Sequence, residues 1–350
     1  MTALRSRNEE ANRLHNEGVA LSDAGDLDGA LAKYREALEL DLERPSTLYN
    51  VGAIYKQRAE WTESFRFNKL ALALGPDDDA SAWNLAIAAT ALRDWSTARA
   101  VWGALGITAP PGDGPTDNSF GVAPVRLNPE EDPEVVWARR VYPVLSRLTS
   151  VPVPESGFRY DDLILHDTTP VGYRTHGGQE HAVFDVLDIF ESSEFYSTFE
   201  ANLTAPEHSD VEALKALCAE AGIACEDWSE STRFICTACS QGRLREHHDA
   251  EGRDKAWRAQ RTVAFAATWD SQVESVLDAW TRKGRVVRLA GIGNSRGARC
   301  WVRRATRDRA VRIVEIGARR CATCDRTLTT PGTLDHRRSL TDRPPGIVVG

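Results

Sequence analysis

The stretch CTACSQGRLREHH, Cys236 to His248, brings two thiols and two imidazoles within one short segment. Zinc prefers four soft or borderline ligands in a tetrahedron, and a C-x-x-C knuckle delivers two thiolates from a single turn. Cys236 and Cys239 fit that role, and the chain between Cys239 and the pair His247 and His248 contains Gly242, where it can fold back. Adjacent imidazoles rarely both reach one ion, so Cys218, Cys225 or Asp249 are alternatives for the fourth ligand. A second knuckle, Cys321-x-x-Cys324, would complete a four-thiolate site if the two halves met. The expected role is structural, because a catalytic zinc needs an open position and a base beside it. Glu246 and Asp249 stand nearby, but nothing else points to a substrate. A zinc-dependent hydrolase or deaminase using Cys236, Cys239 and His247 is therefore the alternative. Against any metal stands the reading of FICTAC as a strand whose cysteines act as small buried hydrophobes.

A second constellation is spread over the first hundred residues. Asn16, Asn50 and Asn84 recur at a spacing of 34, flanked by His15, Tyr49 and Trp83 and, one helical turn on, by Val19, Ala53 and Ile87. An amide carries both donor and acceptor, so a ladder of three can clamp the backbone of an extended peptide while neighbouring rings meet its side chains. The competing reading has these amides bonding within the protein. The same period governs Gly18, Gly52 and Ala86, Leu14, Leu48 and Ala82, and Ala30, Ser64 and Ala98. Small residues belong where two helices cross closely, and Tyr34 and Trp102 fill the space beside them. Gly25 in SDAGDLDGA ends one helix, and Asp26 caps the next.

This pattern resembles the tetratricopeptide repeat over about residues 11–44, 45–78 and 79–107. The resemblance implies an all-α stack of helical hairpins, residues 1–107, whose first helices line a concave groove for a peptide or protein partner. Members that grip a C-terminal carboxylate carry lysines or arginines where this chain has His15 and Ala80. Two positions depart from the pattern: Asn68 replaces an aromatic, and Arg93 stands where the first repeat has its turn glycine, which predicts less regular later hairpins.

Beyond the repeats the composition changes. TAPPGDGPTDNSFG reads as a linker, residues 108–124. Residues 125–194 form a small β-rich section with strand-like EVVWARRVY, SVPVP, DLILHD and VGYRTHGGQEHAVFDVLDIF, the last turning at His176-Gly177-Gly178. His166 and Asp167 end one of these runs without a nucleophile motif beside them. From about 195 to 291 the order is strand, helix, strand, strand, helix, strand, which resembles a ferredoxin-like α+β sandwich with the Cys/His stretch as an insertion. The fold class expected is thus multidomain, an all-α stack followed by an α+β domain and an irregular basic tail, residues 292–350.

The formal charge of −8 conceals an asymmetry. Residues 281–350 carry 17 Lys+Arg against 5 Asp+Glu, so the remainder is strongly acidic. An acidic body offers no footprint for nucleic acid, leaving the arginine-rich tail as the one candidate for such contact. It also raises a further reading, an inhibitor or immunity-type protein that neutralises a basic partner. No stretch approaches the roughly 18 apolar residues of a membrane span, and seven cysteines with a charged start fit a reducing, cytosolic setting. The leading expectation is a cytosolic interaction adaptor, not assigned an enzymatic activity, whose α+β domain is braced by zinc. Elemental analysis of the purified chain tests the brace: about one zinc per chain is expected and is lost in the C236S/C239S double variant. A metal-free, fully folded protein would remove it.

Overall fold

The computed structural model describes residues 2–109, 111–115, 120–130, 133–229, 257–282, 286–288, 302–305 and 311–314. Six helices come first: α1 (Thr2–Asp23), α2 (Leu27–Leu40), α3 (Pro45–Gln57), α4 (Trp61–Leu74), α5 (Asp79–Ala91) and α6 (Trp95–Ala104). Short connectors fold them into three hairpins. Inside each hairpin the small residues permit close approach. A Cβ on Gly18 would lie 2.5 Å from the Tyr34 ring, and one on Gly52 would lie 2.8 Å from Cγ of Asn68. Asn68 is fully buried and donates to the Ser64 carbonyl at 2.8 Å, so an amide fills the place of the aromatic.

The turns repeat as faithfully as the helices. Gly25, Ala59 and Arg93 stand one period apart and all have positive φ, +83°, +55° and +59°. Each turn is closed by the same 2.9 Å backbone bond, from the amides of Asp26, Glu60 and Asp94 to the carbonyls of Leu21, Tyr55 and Ala89. The expectation of irregular later hairpins is thereby corrected: the left-handed turn persists without glycine. At Arg93 the side chain has its own contacts, pairing with Glu191 at 3.0 Å and lying 4.2 Å over the Phe190 ring. Asp26 caps α2 by accepting from the Gly29 amide at 2.9 Å, as its position suggested.

Five strands then close a barrel: β1 (Val122–Leu127), β2 (Glu134–Tyr142), β3 (Leu145–Leu148), β4 (Leu163–His176) and β5 (Gln179–Glu191). Consecutive strands are antiparallel, and an odd number in that order makes the closing pair parallel, joined at Val125–Phe184 and Arg126–Asp185. Alternation along the strands separates two cores. Val125, Leu127, Val136, Ala138, Leu148, Ile164 and Val186 fill the barrel. Tyr142, Leu145, Leu163 and Leu165 face outward and pack with Ile87, Ala89 and Trp102 of the last hairpin. The run Leu163-Ile164-Leu165 is continuous because both faces of β4 are covered. β1 begins inside the stretch read as a linker. SVPVP is no strand: its end forms a 3-10 turn, Pro154–Ser156.

A second sheet follows, made of β6 (Ser197–Thr204), β7 (Ala224–Asp227), β8 (Gln260–Ala267) and β9 (Val286–Arg288) in the order β7-β8-β6-β9, with every neighbour antiparallel. Helices α7 (His208–Glu220) and α8 (Asp270–Thr281) cover one face, burying Phe199, Leu203, Leu214, Phe265 and Trp280 together. Ala264 and Ala266 on the other face pack on Val151 of the barrel's β3–β4 connection. A two-stranded ribbon, β10 (Val302–Ala305) and β11 (Val311–Val314), lies in the stretch read as an irregular tail.

Two substitutions test the repeat geometry. Ala59→Gly removes a left-handed non-glycine residue and should stabilise the chain by up to about 1 kcal/mol in urea denaturation. Gly18→Ala drives a methyl into Tyr34 and should cost about 1–3 kcal/mol. Equal effects at the two positions would contradict the assigned turn and crossing.

Candidate functional site

The three asparagines of the ladder occupy three different environments. Asn16 on α1 is exposed. Asn50 on α3 is half-buried and donates to the Tyr34 hydroxyl at 3.2 Å. Asn84 on α5 is 4 % exposed, and its Nδ2 has no partner among the described residues. The flanking rings His15, Tyr49 and Trp83 are all partly buried. His15 Nδ1 lies 2.9 Å from the Thr47 hydroxyl, and its ring is tilted on Tyr34. Burial, and then the Arg44 charge, lowers the affinity of this imidazole for a proton. Val19 and Tyr49 pack partly buried against the core of the first two hairpins. Trp83 meets Trp102 edge to face at 5.3 Å, and Ile87 is fully buried in the core shared with the barrel. Asn16 is therefore left exposed, and Val19, Tyr49, Asn50 and Ala53 are left partly exposed. Asn84 and Ile87 are enclosed.

The barrel makes this difference. Its rim reaches the second and third hairpins through polar contacts that the period gave no hint of. Lys56 Nζ at the end of α3 binds the Asp167 carboxylate at 2.8 Å, with side chains only 14 % and 18 % exposed. Trp61 Nε1 donates to Asp188 at 3.0 Å. Between these anchors a cleft of about 710 Å³ opens, walled by Ala53, Lys56 and Gln57 on one side and by Phe158, Asp167 and Asp188, among others, on the other. Ala53, one helical turn beyond Asn50, thus lies on the cleft wall. Asp185 at the cleft wall is held by a bidentate pair with Arg126, Nε–Oδ1 2.5 Å and Nη2–Oδ2 2.8 Å. Glu130 and Asp188 add acidic charge, so the wall is predominantly acidic.

The strand-end pair His166 and Asp167 is not an acid–base couple. The imidazole bonds to the Asp167 main-chain oxygen, 2.7 Å from Nδ1, while the carboxylate turns outward to Lys56 and accepts from the amides of Thr168 and Thr169. Burial acts to raise the Asp167 carboxyl. The Lys56 charge and hydrogen bond, with the two amides, outweigh it and hold the group below its ordinary value. Nothing in the sequence around Lys56 or Trp61 announces these contacts; the one signal was Asp167 ending a strand.

Cys236, Cys239, His247, His248 and Asp249 lie outside the described residues, as do Cys321 and Cys324. Among the described residues no group of three or more His, Cys, Asp or Glu is placed to hold a metal. Cys218 on α7 points into the core beneath that helix, and Cys225 packs partly buried against the same cluster.

The TPR repeat family matches residues 18–58, spanning the first hairpin's second half and α3. No curated protein matches the chain. Among solved structures, the N-terminal domain of stress-induced protein-1 (STI-1) from C. elegans is similar at 20 % identity with a TM-score of 0.26, over 28 % of this chain and 83 % of that one. The helical part is thus a TPR-like stack of six helices followed by a sheet-rich part. Among the described residues no helix is long and apolar enough to cross a membrane.

The Lys56–Asp167 contact predicts a pH dependence. A carboxyl held below its unfolded value stabilises the fold above the ordinary carboxylate range, and that contribution is lost as pH falls through the folded value. Asp167→Asn should therefore cost on the order of 1–3 kcal/mol at neutral pH, with the difference from wild type shrinking as pH falls below the ordinary carboxylate range. A constant difference across that range would contradict the pairing.

Proposed function

We propose that this chain is a protein-interaction adaptor that holds an extended segment of a partner along the open first and second hairpins, with the segment's end entering the cleft beside the barrel. The observation that carries this reading is the continuity of surface at Ala53: the face with Asn16, Val19 and Asn50 runs through this residue into a cleft of about 710 Å³. Asn16 is exposed, and Asn50 needs to give up only a 3.2 Å bond to Tyr34 to meet a guest backbone. The partner-binding set is accordingly His15, Asn16, Val19, Tyr49, Asn50 and Ala53, extended by Gln57. Trp83, Asn84 and Ile87 serve the junction with the barrel instead.

For residues 197–288 we favour a ferredoxin-like sandwich, supported by the strand order β7-β8-β6-β9 with two helices on one face. A structural zinc on Cys236 and Cys239 with His247 or His248 would brace the chain between β7 and β8. That part of the reading rests on ligand spacing alone.

The groove is tested by affinity capture with matched variants. Replacement of Asn16 and Asn50 by Ala, and separately of Ala53 by Trp to fill the cleft mouth, should each remove the same partner while leaving thermal stability within about 1 kcal/mol of wild type. Replacement of the exposed Lys69 on α4 should leave it bound. Capture unchanged in both groove variants would reject the reading.

A further inference from the structure

One end of the barrel interior is polar. Arg140 stands opposite Ser146 across β2 and β3, and Ser146 stands opposite Ile164 across β3 and β4. Arg140 is two residues beyond Ala138, and His166 two beyond Ile164, so both share the inward face with those core residues. Directly opposite side chains lie about 5 Å apart at Cβ and diagonal ones about 7 Å, which brings Arg140, Ser146 and His166 to one place. Phe184 floors it: its ring lies 5.7 Å from the Arg140 guanidinium carbon and 5.4 Å from the His166 ring, stacked at 27°.

Each of the three carries an atom without a partner among the described residues: Nε of Arg140, Oγ of Ser146 and Nε2 of His166. Ser146 is 0 % exposed and His166 1 %. Buried polar groups are normally satisfied, so three adjacent exceptions point to something that completes them. Their chemistry defines it. Arg140 donates through Nη2 to the Pro143 carbonyl at 2.7 Å, but no carboxylate among the described residues pairs with it. Burial alone pulls its proton affinity down, with no opposing charge to hold it up. A carbonyl can only accept, so His166 Nδ1 bears the hydrogen donated to Asp167, and Nε2 presents a lone pair. Burial pushes this imidazole down to about 4, against the main-chain bond that favours its charged form.

We propose that the inner end of the barrel binds a small monocarboxylate, which accepts hydrogen bonds from Arg140 Nε and the Ser146 hydroxyl and shares one proton with His166 Nε2. The anion supplies the counter-charge that Arg140 lacks among the described residues. One proton is taken up from solvent on binding, because a carboxylate oxygen facing the Nε2 lone pair is repelled until a proton lies between them. The groups that face His166 are Arg140 from β2, Ser146 from β3, Phe184 from β5 and its own neighbour Asp167, whose carboxylate is neutralised by Lys56 of α3. Entry is past Arg140, the one member with partial exposure, and the near-complete burial of Ser146 and His166 restricts the ligand to a head group with a very short tail.

Calorimetric titration of the full-length chain with formate and acetate tests this, with acetamide and chloride as controls. Expected are binding of the carboxylates alone, uptake of about one proton read from buffers of different ionisation enthalpy, and affinity that weakens as pH rises. Arg140→Met should abolish binding, and Ser146→Ala should weaken it about tenfold, the worth of one hydrogen bond to a charged group. Acetamide binding as well as acetate, carboxylate binding without proton uptake, or no binding by the wild-type chain would overturn the proposal. If Arg140→Met fails to fold, Ser146→Ala decides: unchanged affinity overturns it.

Discussion

The apolar seam between the third hairpin and the outer face of the barrel sets the rest of the arrangement. Ile87 and Trp102 from the helices meet Tyr142, Leu145, Leu163 and Leu165 from the strands in one core. Full burial of each large side chain is worth about 1.5–3 kcal/mol and several are buried together here, whereas the half-exposed Arg93–Glu191 pair contributes about 0–1 kcal/mol and the enclosed Lys56–Asp167 contact is a single polar interaction. The seam therefore supplies most of the attachment, while the contacts Lys56–Asp167, Trp61–Asp188 and Arg93–Glu191 fix its orientation. Apolar burial is indifferent to rotation about the seam; three directional contacts spaced along the hairpin turns are not.

A barrel held on one side by helices is held on another by the second sheet. Val151 in the β3–β4 connection accepts from Trp228 Nε1 at 3.0 Å, donates its amide to Glu226 at 2.8 Å, and places its side chain on Ala264 and Ala266. Alanines on that face allow the barrel loop to sit close to the sheet. The barrel is thus the central piece, and its β4 carries three duties at once: Ile164 faces the barrel core, Leu163 and Leu165 face the helices, and His166 and Asp167 end the run with one group turned inward and the other outward.

The helical half was legible because its determinants are local and repeat. Gly18 and Gly52 mark crossings that a side chain would block, and the fixed spacing carried even to turns where the sequence shows Ala59 and Arg93 in place of glycine. The hydrogen bonds that close those turns are made by backbone, which no residue type reveals. The β-rich half was legible only where alternation or a Gly-Gly turn was strong, as in β4 and β5. β1 was hidden because a run such as VAPVRL, buried at every position after the first, shows no alternation and follows a stretch rich in proline and glycine. SVPVP misled for the opposite reason: its valines alternate, but its prolines lack the amide that a ladder needs. Lys56 and Trp61 could not be read at all, since their partners Asp167 and Asp188 lie more than a hundred residues away.

The asparagine ladder shows how far a period can be trusted. A repeat places Asn16, Asn50 and Asn84 at equivalent positions on the first helices of three successive hairpins. It says nothing of what stands opposite. At Asn16 that is solvent, at Asn50 the Tyr34 hydroxyl, and at Asn84 an enclosure made by the third hairpin and the packing around it. Exposure falls from Asn16 through Asn50 to Asn84, so these positions are open away from the barrel and closed where apolar burial is densest. Ala53, one turn beyond Asn50 on α3, already lines the cleft, whereas Asn84 is enclosed. Two partly open positions and a cleft, rather than three equivalent positions, are what the seam leaves uncovered.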